Sequence, residues 1–125
     1  MGANCAHNWS MYWEGASVRS YTPERLAAIN AATVTYNGKE IGRYKATQMQ
    51  RAQERQIRAE KRAFLVAKES GQKDTEKAAA AKLAASRDKL KDFLQQTGLK
   101  QYQLRESVPG FGRSEASSAA AQARK

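Results

Sequence analysis

The chain is poor in the residues that carry most small-site chemistry: one cysteine, one histidine, two prolines and three phenylalanines in 125 residues. A single cysteine excludes an internal disulfide framework and fits a reducing compartment. Cys5 and His7 are two metal ligands where zinc takes three or four, so an intrachain site would have to recruit carboxylates or another chain. A Cys–His nucleophile would need a third group to orient the histidine. No Gly-rich phosphate loop, nucleophile elbow or informatively spaced carboxylate pair occurs. The pattern holds no argument for an enzyme and implies no cofactor. No run approaches the ~18 consecutive apolar residues of a membrane span. The N-terminus has no basic segment leading into an apolar run, the mark of a secretory signal. Alanine supplies much of the 41% hydrophobic fraction, so the core should be thin and the fold elongated or partner-dependent.

What the chain does have is positive charge, +10 in all. Its placement is uneven. Residues 1–42 balance Arg19, Arg25 and Lys39 against Glu14, Glu24 and Glu40, so the whole excess begins at Arg43. A neutral aromatic head precedes a basic body. Excess positive charge of this kind suits nucleic acid or an acidic protein surface.

Local signals divide the chain into four parts. Residues 1–42 form the head, 43–98 a helical hairpin, 99–113 a packing segment and 114–125 a low-complexity tail expected to be disordered. In the head, Thr22-Pro23-Glu24 starts a short helix: a cap, a proline suited to the first helical position and an acid facing the dipole. Asn37-Gly38 between Val34-Thr35-Tyr36 and Ile41 predicts a β-hairpin, which needs outside support because a lone hairpin is marginal. Trp9, Tyr12, Trp13 and Tyr21 are the residues expected to pack it against the base of the helices.

From Arg43 to about Ser70 neither proline nor glycine interrupts. Met49, Ala52, Gln56, Ala59, Ala63 and Val66 recur at steps of three and four, which predicts an alanine-rich helix face open to close approach by a partner helix. Ser70-Gly71 reads as a stop, and Asp74 or Thr75 as the cap of a second helix. Ala79, Leu83, Ser86, Leu90, Phe93 and Thr97 form its seam, ended by Gly98. Two helices of roughly 25 residues, each about 37 Å long at 1.5 Å per residue, should fold back on each other. Leu99, Tyr102 and Leu104 are then placed to pack across the open end. The fold class is mainly α: a long antiparallel two-helix hairpin with a short N-terminal helix and a small β-hairpin.

A second stripe, Arg51, Arg55, Arg58 and Arg62, follows the same helical spacing. It reads either as a ladder of cations for phosphates or as a solvated face, with Glu54 and Arg58 as an i,i+4 pair. Like charges four residues apart repel, a small cost that an anionic partner would relieve. These four arginines are the candidate nucleic-acid contacts.

The order of motifs carries a resemblance. Gly2-Ala3-Asn4-Cys5-Ala6-His7 is followed by an aromatic patch ending Glu14-Gly15, then Tyr21-Thr22-Pro23-Glu24 and Tyr36-Asn37-Gly38. Next come Tyr44-Lys45-Ala46-Thr47-Gln48-Met49-Gln50-Arg51 and Glu54-Arg55-Gln56-Ile57-Arg58, and last Thr97-Gly98-Leu99, Arg105-Glu106 and Gly110-Phe111. Together, over roughly residues 2–112, they resemble the C-terminal part of the phage minor capsid protein 2 family. The family carries its Asn-Cys-x-His segment in mid-chain, which implies a larger region before it. Ala6 stands where the family usually has a basic residue, and the aromatic patch lacks the family's common proline.

The resemblance implies a head protein of low copy number, partnered by the phage portal or other capsid proteins and with DNA as a further contact. It implies a place in the virion, in host cytoplasm during assembly, and none in a membrane. It transfers no catalytic residues. The alternative reading is a basic helical nucleic-acid-binding module acting outside a virion.

Overall fold

The computed structural model describes residues 11–18 and 21–124. Helix α1 (Pro23–Ala31) is capped by Thr22, whose hydroxyl accepts the Arg25 N–H at 3.3 Å. Strands β1 (Thr33–Tyr36) and β2 (Lys39–Gly42) pair antiparallel, with Thr33 opposite Gly42 and Tyr36 opposite Lys39. Asn37 (φ 50°) and Gly38 (φ 72°) both take positive φ, the arrangement a two-residue hairpin turn requires.

Helix α2 (Arg43–Glu69) and helix α3 (Lys73–Thr97) pack along each other as the long hairpin. Gly98 ends α3 in the left-handed conformation (φ 66°), and its N–H donates to the Leu94 carbonyl at 2.9 Å, a common C-terminal cap. The cap of α3 is Gln72 rather than Asp74 or Thr75; it makes no side-chain cap bond, and the Thr75 hydroxyl donates to its amide oxygen at 3.0 Å.

The rest of the chain turns back along the hairpin. Residues 99–112, with a 3₁₀ turn at Gln103–Glu106, form a strap against α2, and helix α4 (Arg113–Ala123) lies on α3. The expected disordered tail is therefore a helix. Ala119 is buried with Ala80 and Leu83, and α4 is fixed at its start by Glu115, which accepts the Gly112 N–H at 3.1 Å and pairs with Lys68 at 3.5 Å. The run of small residues that reads as low complexity is what lets α4 sit close to α3.

The strap also overturns the expected seam of α2. The buried face is Ala46, Gln50, Glu54, Ile57, Lys61, Phe64 and Ala67, while Ala52, Gln56, Ala59, Ala63 and Val66 are exposed, Val66 by 70%. Met49 is half-buried. Burying Ile57 and Phe64 removes far more apolar surface from water than burying alanines. The polar residues between them are tolerated because they have partners. Gln50 Nε2 donates to the Lys100 carbonyl at 2.9 Å, Lys61 Nζ to the Glu106 carbonyl at 2.6 Å, and Arg58 Nη1 to the Arg105 carbonyl. The seam of α3 is closer to its expectation: Leu83, Leu90, Phe93 and Thr97 are buried, Ala79 and Ser86 half-buried.

One packing expectation fails. Leu104 is 90% exposed and Tyr102 also faces solvent, with Leu99 half-buried; Glu106 and Val108 turn inward instead. The 3₁₀ turn presents Glu106 to Lys61 and to Gln101, whose amide donates to the Glu106 carboxylate at 2.8 Å. In the head, Tyr12, Trp13 and Tyr21 are exposed, and Trp9 lies outside the described residues. The β-hairpin is supported by α3: Tyr36 meets Phe93 edge-on at 4.9 Å, and the Asn37 N–H donates to Gln96 Oε1 at 2.8 Å.

Candidate nucleic-acid interface

The arginine stripe occupies the flank of α2 beside the strap. Steps of four, three and four keep Arg51, Arg55, Arg58 and Arg62 on one side of the helix. Arg51, Arg55 and Arg62 are exposed; Arg58 is half-buried and committed to the strap through the Arg105 carbonyl. Among the described residues, no carboxylate oxygen lies within 4 Å of a guanidinium nitrogen of these four. The expected Glu54–Arg58 pair is absent for this reason: Glu54 points inward and meets Arg105 instead, at 4.0 Å.

Arg105 is the residue that sequence reasoning missed as a site member. It appears in the pattern only within the Arg105-Glu106 motif, 47 positions from Arg58, and no helical periodicity links the two. The strap brings it to α2, and its guanidinium stacks on Tyr102 at 4.0 Å from the ring centroid. Gln48, Arg51, Glu54, Arg55, Arg58 and Arg105 then line an open cavity of about 450 Å³. Arg62 lies outside it.

Glu54 is only 2% exposed. Burial pushes its carboxyl above the usual carboxylate range, against the opposing pull of Arg105 and of Gln50, whose amide donates to it at 3.0 Å. Glu106 adds to the upward shift and Arg58 opposes it. Arg105 and Arg58 act on this carboxylate, and Arg51 and Arg55 line the same cavity. Lys61, further along the same face, is pulled below the usual lysine range by burial and by Arg87, with Glu106 opposing.

Cys5 and His7 lie outside the described residues. Among the described residues, no cluster of three His, Cys, Asp or Glu side chains is arranged to hold a metal, and no helix is long and apolar enough to cross a membrane.

These features define a mainly helical protein with a cationic flank. The sequence model for phage minor capsid protein 2 matches residues 1–95, and the chain belongs to that family. Membership gives it a structural role in a phage. The match ends inside α3, so the strap and α4 lie beyond it. No curated protein and no solved structure matches the chain.

Proposed function

We propose that the chain is a minor component of the phage head, associated with the portal or the inner capsid surface during head morphogenesis, with its arginine flank turned toward packaged DNA. The observation that carries this reading is the row Arg51, Arg55 and Arg62 on α2: exposed, regularly spaced and without a carboxylate within 4 Å among the described residues. Cations left unpaired at helical spacing are suited to successive phosphates, and the neutral head leaves the basic body as the DNA-facing part.

The test is fluorescence anisotropy with a short duplex, titrated with salt, on the chain and on the triple variant Arg51→Ala, Arg55→Ala, Arg62→Ala. Arg58 is kept because it holds the strap. Binding should weaken steeply with salt, and the variant should lose up to about 0.9 of log–log slope for each phosphate contact removed. No binding at low salt overturns the DNA-facing part and leaves a protein partner alone to account for the head role. Detection of the chain in purified particles separates the virion reading from a module that binds nucleic acid elsewhere.

A further inference from the structure

We propose that the cavity between α2 and the strap binds one phosphate-class oxyanion, and that the bound anion fastens the strap to α2. The inference rests on the reading of this flank as phosphate-facing and deepens it: it assigns a discrete site within the flank and a structural consequence of filling it.

The cations come from two elements. Arg51, Arg55 and Arg58 stand on α2, whereas Arg105 stands on the strap. An anion held by both sets bridges them. Guanidinium forks match the geometry of phosphate oxygens and bind them bidentately. Arg105 is already oriented for this by Tyr102 at 4.0 Å and by Glu54 at 4.0 Å. Gln48 adds an amide donor to the lining. About 450 Å³ accommodates a phosphate with the sugar or the waters attached to it.

The strap has reason to need the bridge. Beyond the burial of Val108 and the packing of Phe111 on Phe64, its attachment runs through side-chain bonds to carbonyls from Gln50, Arg58 and Lys61, while Leu104 and Tyr102 face solvent. Bringing Arg105 beside three arginines adds like-charge repulsion, which Glu54, 4.0 Å from Arg105, offsets in part. A ligand that binds only the docked arrangement stabilises it by mass action.

The experiment uses the full chain with inorganic phosphate against chloride at matched ionic strength, read by thermal unfolding and by amide exchange over residues 99–108. Phosphate should raise the melting temperature and slow exchange in the strap. Arg51→Ala and Arg55→Ala should each weaken the phosphate effect about fivefold, and Arg62→Ala, outside the cavity, should leave it unchanged. Arg105→Lys keeps the charge but removes the fork and should weaken it as well; because the two exposed α2 variants carry the test, it does not depend on that one folding normally. A phosphate effect no larger than that of chloride overturns the proposal, as does an Arg62→Ala loss equal to that of Arg51→Ala.

Adding the short duplex identifies the source. Strap protection by duplex that depends on Arg51 assigns the phosphate to a nucleic-acid backbone, and protection by phosphate alone assigns a free phosphate compound. Duplex binding with no strap protection and no phosphate effect sinks the clamp while leaving the DNA-facing flank intact. Phosphate clamping without duplex binding does the reverse.

Discussion

Lys61 and Glu106 are 45 positions apart, yet the Lys61 ammonium donates to the Glu106 backbone carbonyl at 2.6 Å in a buried setting. The bond ties the strap to the middle of α2 beside Phe111, whose ring centroid lies 5.3 Å from the same ammonium. It explains why a lysine stands between Ile57 and Phe64 on the buried face of α2.

Lys61→Met keeps the apolar stem but removes the donor. The carbonyl loses its partner, a cost of about 1–3 kcal/mol, offset in part by no longer burying a charge. Urea unfolding should show a net loss of about 1 kcal/mol, and amide exchange should quicken around Glu106. An unchanged exchange pattern would show that the bond does not hold the strap.

Glu54 gives the stability a specific pH dependence. Its folded carboxyl titrates above the unfolded value of 4.5, so the folded state holds the extra proton. That contribution is full below pH 4.5 and is lost as pH rises through the folded value. Glu24 and Glu115 are shifted down, the first by its backbone bond and Thr22, the second by its own backbone and that of Gly112. They act in the opposite sense and in another window, with stability lost as pH falls below 4.5. Unfolding measured against pH should therefore show a slope just above 4.5 that disappears in Glu54→Gln, with the slope below 4.5 retained.

Phe64 and Val66 separate the two candidate faces of α2. Phe64 is fully buried and Val66 is 70% exposed. Phe64→Ala should cost about 3–5 kcal/mol, and Val66→Ala should change stability by less than about 0.5 kcal/mol. Equal effects in chemical denaturation would contradict the observed face.

Ala119 tests the docking of α4. It is 2% exposed against Ala80 and Leu83. Ala119→Asp places an unpaired carboxylate there and should release α4, with a stability loss of about 2–3 kcal/mol. Circular dichroism and amide exchange should show residues 113–123 losing helix while α2 and α3 persist.

How much was legible in the sequence differs by element. The start of α1, the Asn37-Gly38 turn, the Ser70-Gly71 break and the Gly98 cap depend on single residues with strong backbone preferences, and each stands where local chemistry puts it. The seam of α3 carries large apolar residues at helical spacing and is also nearly readable. The seam of α2 is not. Gln50, Glu54 and Lys61 break the apolar pattern around Ile57 and Phe64, while the alanines opposite imitate a seam. The arginine stripe was visible because it lies on one helix, but its completion by Arg105 depends on a contact across 47 positions.

The sequence by itself determined that the chain is a basic helical hairpin with a neutral head, because helix periodicity, caps and turns act over a few residues. Only the tertiary structure decided which face of α2 is buried, that the tail is a docked helix, and that four guanidiniums share one cavity. The first and last follow from the strap, whose carbonyls and side chains supply distant partners for polar groups that no local pattern could have placed inside, and the docked tail follows from small residues packing on α3.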